Sequence, residues 1–428
     1  MMVSDISQMN NMIRPKIFPN LLVTIFLIII SITPILSRDL PHGVRLTATI
    51  LWFVTALRIG HINNKSIEYK IILWWFLYLI LQIVYGLVGI SREFYYFFTK
   101  LCIYVVPIAM LYIVRFYNNR ERKIIWWAIL LTVGINVLQN FTLAPLDEAE
   151  ELFMDVHGST TRGSNAGGSA FVAVCFLIMP VLWMAFRYSR KNINKLGCIC
   201  VIAVSGIYIT MYNSRATALV ILFLEVFLIV IIETKKRLNY RGFYLKSFII
   251  LPVAVAALFF LLPEIIQTFG FSARMVRRFT DLFTVMGGDD IESLQGGSFQ
   301  ARYFLWQTSI NSFFSSIPHF IFGIGEKRMV DISDMALIRA GVGQHSEIFD
   351  LAAKYGVIGL VIFYNMMRKT IKYILCLTSN YKLGAMMRVY FIGLIIYAFV
   401  NNILFVGPNI IFFLFIAITV QLIELKKL

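Results

Sequence analysis

The chain has 428 residues, of which 59% are hydrophobic and only 14% charged, and its mean hydropathy is +0.77. A soluble domain would carry nearly twice that charged fraction, so the composition excludes a soluble globular protein and indicates one that lies in a bilayer. The net charge of +16 does not point to nucleic acid, because the basic residues are dispersed over short segments between apolar runs.

Apolar runs recur along the chain at close to the ~20 residues that a helix needs to cross a bilayer. We therefore predict an all-α polytopic membrane protein of about twelve transmembrane helices, with a large extracytoplasmic loop containing amphipathic helices. Transmembrane helices 1–9 occupy residues 1–264, the periplasmic loop with active-site elements occupies 265–346, and transmembrane helices 10–12 occupy 347–428. The predicted spans are 18–36, 44–62, 71–90, 94–114, 124–144, 168–186, 196–212, 216–233, 247–266, 348–367, 387–405 and 408–424.

The distribution of Lys and Arg predicts the orientation. Alternate loops carry most of these residues, and by the positive-inside rule that side is cytoplasmic. Both termini are then cytoplasmic, and the segments near 145–165 and 265–346 face outward. The first apolar run lacks a small-residue cleavage pattern, so we expect it to remain as the first span.

Cysteine spacing and known nucleotide motifs suggest no cofactor and no metal. Cys198 and Cys200 lie in an apolar run, where their spacing favours packing over metal binding. The sequence shows no Walker loop, Rossmann fingerprint or Cys/His ligand spacing, so it suggests neither a nucleotide nor a metal.

The first outward segment, 145–167, is acidic in its first half and glycine-rich in its second. The acidic half is typical of a solvated face, and the second half of a flexible approach to the next helix. Arg162 is a candidate anion contact in this approach, with a plain surface arginine as the alternative.

The longer outward segment, 265–346, has the richest polar chemistry. Arg274, Arg277 and Arg278 recur at i, i+3 and i+4, so one helical face can present all three to an anionic headgroup or sugar. An interfacial anchor is the alternative for this trio. Further on, Arg302 begins an aromatic-rich amphipathic stretch, which predicts a folded cap over a cavity rather than a disordered tether.

Arg215 and Glu225 are the polar residues least expected in their surroundings. Arg215 lies between two predicted spans with almost no polar loop around it. An arginine at mid-bilayer costs about 2.5–3.5 kcal/mol, so one kept near the apolar slab is typical of a wet cavity or a bound anion, with snorkelling as the alternative. Glu225, in the next span, is an isolated acid for which the sequence names no partner.

His345 is the catalytic candidate. It directly precedes an apolar helix, so it can reach both an aqueous vestibule and a lipid-borne substrate, and its ordinary pKa of roughly 6.5 lets it accept a proton near neutrality. An interfacial helix cap is the alternative. In a helix Glu347 and Asp350 project about 200° and 140° away from His345, so neither is an obvious orienter. Asp350 and Lys354 suit a structural i,i+4 pair.

Three motifs in this order resemble the O-antigen polymerase (Wzy-type) and O-antigen ligase superfamily of bacterial membrane glycosyltransferases. They are Ser214-Arg215-Ala216 after a span, Arg302 in Gln300-Ala-Arg-Tyr303 followed by Gly323-Ile-Gly325, and His345-Ser-Glu-Ile348 before Gly356-Val-Ile-Gly359. Family motifs often have Asn where this chain has Ser346, so the role of that side chain is open.

The resemblance implies an enzyme of the bacterial cytoplasmic (inner) membrane whose donor and acceptor are undecaprenyl-pyrophosphate-linked oligosaccharides. It also implies contact with membrane lipid, a chain-length-regulating partner, and catalysis without a metal. Arg215 and Arg302 would hold the diphosphate, since a guanidinium can grip phosphate oxygens bidentately and stabilise the departing pyrophosphate. Arg274, Arg277 and Arg278 would help more weakly, and His345 would be the general base toward the acceptor hydroxyl.

Two functions fit this resemblance, and a third hypothesis comes from another class of protein. The run from His345 to Gly356 looks more like polymerase sequences than the His-Asn-Glu form common in ligases, which favours a polymerase over a ligase that transfers the glycan to lipid A-core. A flippase for the same lipid-linked sugars would be expected to show internal repeats and charges at the midplane. The sequence shows no clear repeat, and its arginines and His345 gather at the outward face, which favours surface chemistry.

Overall fold

The computed structural model describes residues 21–33, 67–88, 117–143, 168–209, 216–234, 298–325, 346–404 and 406–428. All regular secondary structure in these ranges is helical, which confirms the predicted all-α class. The predicted spans 44–62, 94–114 and 247–266 lie outside the described residues. The helices are α1 Leu21–Ile32, α2 Ile67–Val88, α3 Asn119–Leu143, α4 Gly168–Tyr188, α5 Asn192–Ile207, α6 Ala216–Thr234, α7 Ser298–Phe314, α8 Ile317–Phe322, α9 Glu347–Cys376, α10 Tyr381–Val400, α11 Val406–Ile410 and α12 Ile416–Glu424, with a π-helix over Ile411–Phe415 joining the last two.

Three helical segments within the described ranges are long and apolar enough to cross a membrane: Phe171–Tyr188, Tyr381–Val400 and Gly407–Glu424. This number does not confirm the predicted count of about twelve. The polarity of the helix surfaces is that of a membrane protein. On α3, Ile135 is 60% exposed whereas its neighbour Asn136 is only 4% exposed, the reverse of a water-soluble helix.

Helix α4 lies at the centre of the described helices, and its side chains from Phe171 to Leu182 are buried. It packs against α5, α6, α10 and the C-terminal helical rod. Phe176 stacks on Tyr397 of α10 with ring centroids 4.1 Å apart and an interplanar angle of 12°. Because the two rings stack face to face, α4 and α10 cannot slide along each other without separating them.

The C-terminal rod of α11, the π-helix and α12 is also buried. Trp126 of α3 donates from its indole nitrogen to Thr419 Oγ1 at 3.1 Å, and its ring stacks on Phe415. A buried tryptophan nitrogen needs such a partner, because an unpaired polar atom in an apolar interior costs about 1–3 kcal/mol.

Helices α9 and α10 form a hairpin that brings the start of α9 close to the end of α10. Asn380 begins α10 by accepting hydrogen bonds from Lys382 N at 2.9 Å and Leu383 N at 3.5 Å. Along its length α9 packs against α2, where the Tyr78 ring lies 6.2 Å from that of Tyr355. The helix is interrupted at Gly356, whose φ of 61° and ψ of −160° are not helical.

Candidate active site

The first turn of α9 contains a cluster of polar side chains. Ser346 is the N-cap: it is fully buried, and its hydroxyl oxygen accepts a hydrogen bond from Phe349 N at 3.1 Å. A serine in this position satisfies one of the amide groups that a helix start leaves unpaired. The acidic residues Glu347 and Asp350 lie in the same turn, where the helix dipole favours negative charge.

Asp350 joins three segments of the chain. Its Oδ2 accepts hydrogen bonds from Ser346 N and Asn402 Nδ2, each at 3.2 Å, and its Oδ1 accepts one from Ser309 Oγ at 3.0 Å. Ser309 belongs to α7 and Asn402 follows α10. The carboxylate is 5% exposed, so these donors replace the water that a charged group would otherwise need. Ser346, Glu347 and Asp350, with Ser309 and Asn402, are called the polar cluster below.

Glu347 ties the α9 start to the segment between α10 and α11. Its Oε2 accepts hydrogen bonds from Ile403 N at 3.1 Å and Leu404 N at 3.2 Å, while its own amide donates to Asn401 O at 3.3 Å. Burial raises the pKa of Glu347, and the two amide donors oppose that rise. This segment therefore has its backbone donors satisfied by a side chain from another helix.

The glycines of the two sequence motifs meet farther along α9. Ile324 N donates to Ala353 O at 2.8 Å, and Gly325 N donates to Lys354 O at 3.0 Å, just before the interruption at Gly356. The Tyr85 hydroxyl of α2 donates to Phe322 O, so the segment after α8 is held from both sides. These contacts hold the end of α8 against α9 through the main chain.

One side of helix α7 faces the start of α9. The Trp306 ring lies 6.2 Å from that of Phe349, and Ser309 donates to Asp350. Positions 302, 306 and 309 follow one another at intervals of four and three residues and so share a helix face. Position 302, in the first turns of α7, is therefore on the side that meets α9, about 10 Å along the axis from Ser309.

The α7–α8 hairpin also presents an apolar surface. Phe314 is 67% exposed and Ile317 78% exposed within the described structure, although the Phe313 and Phe320 rings contact each other at 4.9 Å. The predicted amphipathic stretch is thus helical and has one side against α9 and one apolar side that the described residues leave open.

Arg302 is the only predicted site residue within the described ranges, as a backbone position in α7. His345 immediately precedes the N-cap Ser346, and Arg215 immediately precedes α6, but both lie outside the described residues. The same is true of Arg162, Arg274, Arg277 and Arg278.

Sequence reasoning set Asp350 aside as an orienter and did not consider Ser309 or Asn402. The capping signal was present, since Ser346 is followed by acids within one turn. Ser309 and Asn402 have no local signal, because they lie 41 and 52 residues from Asp350 in sequence. The structure shows that Asp350 turns back to the cap rather than only pairing along the helix.

Glu225 is a second buried acid, away from this cluster. It is 2% exposed, and neither carboxyl oxygen has a hydrogen-bond partner among the described residues. It packs on Gly393 of α10, where an added Cβ would lie 1.5 Å from Glu225 Oε1.

The apolar-faced helices and the polar cluster at a helix start define a helical membrane protein with a candidate active site. Residues 198–364, from α5 into α9, match the family model described as O-antigen ligase. This match over part of the chain confirms the predicted resemblance to the O-antigen polymerase and ligase superfamily. The match supports activity of this general type, in polysaccharide biosynthesis at a membrane. A search among curated proteins found no match.

Proposed function

We propose that this protein is a surface-polysaccharide polymerase. It transfers an undecaprenyl-pyrophosphate-linked glycan onto another lipid-linked repeat unit at the outer face of the cytoplasmic membrane. The observation that carries the proposal is the Ser309–Asp350 contact at 3.0 Å, within the family-matched region. It joins the helix that contains Arg302 to the first turn of α9, which follows His345 in the sequence, and so supports assigning the two motifs to one site.

The reaction follows from the residue types. The acceptor hydroxyl oxygen attacks the anomeric carbon of the donor while the bond from that carbon to the pyrophosphate oxygen breaks, and the hydroxyl proton passes to His345. Arg215 and Arg302 hold the diphosphate and stabilise the negative charge that it gains as it leaves. Arg162, Arg274, Arg277 and Arg278 assist in anion binding. In-line attack inverts the anomeric carbon, and no metal is required.

The proposal includes the predicted topology. About twelve helices would cross the inner membrane with both termini in the cytoplasm, and the 265–346 loop would face outward. The distribution of basic residues supports this orientation, because Lys and Arg concentrate in alternate loops. A chain-length-regulating protein is a further proposed partner.

A ligase that transfers the finished glycan to lipid A-core is the second candidate. The description of the matched family, O-antigen ligase, favours it. The His345-Ser-Glu sequence favours the polymerase. Both use the same donor chemistry and differ in the acceptor.

The lipid attachment and length of surface polysaccharide after gene deletion in the host separate the candidates. Core carrying a single repeat unit identifies a polymerase, since ligation still works. Long glycan stranded on undecaprenyl pyrophosphate identifies a ligase. Repeat units trapped on the cytoplasmic leaflet would contradict both and indicate a flippase.

The base assignment is tested with the purified protein in nanodiscs and lipid-linked repeat units extracted from the deletion strain. His345→Ala should lower transfer by about 10²–10⁴-fold while the donor still binds. His319→Ala is the matched control, because His319 is a partly exposed histidine of α8 whose Nδ1 lies 2.7 Å from Ser315 Oγ. Near-normal turnover in His345→Ala would refute the assignment.

The diphosphate role is tested at Arg302. Arg302→Lys keeps the charge but loses the planar fork, so it should recover little of the activity lost in Arg302→Ala. Arg368→Ala, in a predicted cytoplasmic region, should leave transfer unchanged. Full activity in Arg302→Lys would indicate a simple charge requirement instead.

A further inference from the structure

We propose that Asp350 is a positioning residue that sets the location of His345 relative to α7, and this inference rests on the proposed function. Asp350 touches neither substrate nor reacting atoms in the proposed reaction. It acts by holding the main chain next to His345 and, through the same carboxylate, the helix that contains Arg302.

The peptide group between His345 and Ser346 links the proposed base to the hydrogen bonds of Asp350. The N–H of Ser346 belongs to the same planar unit as the carbonyl of His345, because the peptide bond does not rotate freely. Asp350 Oδ2 accepts that N–H at 3.2 Å. A fixed N–H fixes the plane of that peptide unit, so under this proposal Asp350 restricts the main chain that adjoins the base.

The Asp350 carboxylate also accepts hydrogen bonds from two other segments of the chain. Asp350 accepts from Ser309 of α7 through Oδ1 and from Asn402, after α10, through Oδ2. Ser309 and Ser346 are fully buried, and Asp350 is nearly so. Asp350 therefore adds a buried hydrogen bond between α7 and the α9 start to the packing of Trp306 on Phe349, and water cannot take over this hydrogen bond if it is lost.

The contacts of Asp350 point to a positioning role rather than a catalytic one. Helix α9 begins at Glu347 after the extended N-cap Ser346, and the Asp350 carboxylate is directed to this cap and to two other segments of the chain. Its three described hydrogen-bond partners are a backbone amide, a serine hydroxyl and an asparagine amide. All three belong to the protein scaffold. The carboxylate thus works through the backbone that carries the base.

Small displacements matter in such a site. A misplacement of about 1 Å between reacting groups can cost about 10²-fold in rate. Asp350→Asn is nearly isosteric, but it replaces one acceptor oxygen with an NH₂ group that would face donors from Ser309, Ser346 or Asn402. Ser309→Ala is milder, since it removes only the hydrogen bond from α7 to Asp350 and leaves the helix cap intact.

The test compares kcat and KM for these variants in nanodiscs, with the extracted lipid-linked repeat unit as substrate. We expect kcat to fall about 10²-fold in Asp350→Asn and about 10-fold in Ser309→Ala, with KM for the donor changed less than about 3-fold. Ser309→Thr keeps the hydroxyl and should recover most of kcat. The double variant should be no slower than Asp350→Asn, because both changes break one network.

Thr419→Val is the matched structural control. It removes a buried hydroxyl that accepts from Trp126 at 3.1 Å, far from the α9 start in sequence and on another helix. It should lower the melting temperature without changing kcat. Unchanged kcat in Asp350→Asn, or an equal loss of kcat in Thr419→Val at equal loss of stability, would overturn the proposal.

His345→Ala in the same assay distinguishes this proposal from the proposed function. If His345→Ala is inactive while Asp350→Asn and Ser309→Ala have wild-type kcat, only the positioning role is refuted. If His345→Ala retains wild-type transfer, the base assignment fails and the positioning role fails with it.

Discussion

Gly323 and Gly356 are in main-chain contact where the segment after α8 crosses α9. A Cβ added to Gly356 would lie 2.7 Å from Gly323 N and 2.4 Å from Ile321 O, and one added to Gly323 would lie 2.3 Å from the carbonyl carbon of Lys354. Both glycines have positive φ, 78° and 61°. The contact holds α8 about 15 Å along α9 from the N-cap Ser346, so the glycine motifs support the same region as the polar cluster.

Gly356→Ala should therefore destabilise the protein by about 3 kcal/mol or more, because it adds both a strained backbone and an overlap with Ile321. Unfolding in mixed micelles measures this change. Gly134→Ala is the control: Gly134 is inside α3, and its added Cβ would meet only Val201 Cγ2 at 3.5 Å. Alanine there should be neutral or stabilising by up to about 1 kcal/mol. Equal effects of the two substitutions would contradict the close contact.

Ser346 is expected to act as a helix cap that asparagine can replace. Ser346→Ala removes the acceptor for Phe349 N and should cost about 1 kcal/mol, whereas Ser346→Asn retains a capping oxygen and should remain within about 0.5 kcal/mol of the wild type. Unfolding and transfer activity are both measured. If both residues cap the helix, serine can occupy the position where family motifs often have asparagine. A large loss in the asparagine variant would refute the capping role.

Glu225 and Gly393 should show size complementation. Gly393→Ala places a methyl group 1.5 Å from Glu225 Oε1, so we expect destabilisation of about 1–3 kcal/mol. Glu225→Ala removes the obstructing side chain, and the double variant should be more stable than the sum of the two single effects predicts. Additive effects in a double-mutant cycle would show that the two residues do not share this space.

Tyr117 should make stability depend on alkaline pH. It lies between two predicted spans, is 2% exposed, and its hydroxyl is 2.8 Å from Thr24 Oγ1. Burial, helped by the charge of Glu121, raises the pKa of Tyr117 from 10.0 to about 12, against the opposing effect of the Thr24 hydrogen bond. The folded state therefore favours the protonated phenol.

The resulting stabilisation is fully present below pH 10 and is lost as the pH rises from about 10 to about 12. With each pKa unit worth about 1.4 kcal/mol, the loss is about 2.7 kcal/mol. Tyr117→Phe should lack this part of the alkaline loss in denaturant unfolding measured across that range. Tyr364→Phe, at a tyrosine that is 61% exposed, should keep it. Identical pH profiles for Tyr117→Phe and the wild type would refute the prediction.

The helical class and the position of the helices could be predicted because they depend on local hydrophobic runs. Each predicted span that falls within the described ranges overlaps a helix, as 168–186 overlaps α4 and 216–233 overlaps α6. The helix ends were less predictable. The sequence placed one span at 348–367, whereas α9 continues to Cys376, because capping and packing rather than hydropathy decide where a helix ends.

The polar character of the α9 start could also be predicted, since a polar motif runs directly into an apolar helix there. The partners of Asp350 could not. Ser309 and Asn402 are an ordinary serine and asparagine in the sequence, and only the packing of α7 and α10 against α9 brings them to the carboxylate.

By itself, the sequence determined the all-α class, the apolar character of the helices and the resemblance to the O-antigen polymerase and ligase superfamily, because apolar periodicity and short motifs are encoded by neighbouring residues. Only the tertiary structure decided that Asp350 joins the α9 start to α7 and that Gly323 meets Gly356. Both contacts join residues that are distant in sequence, and such pairs form only where helix packing excludes water and leaves no room for a side chain.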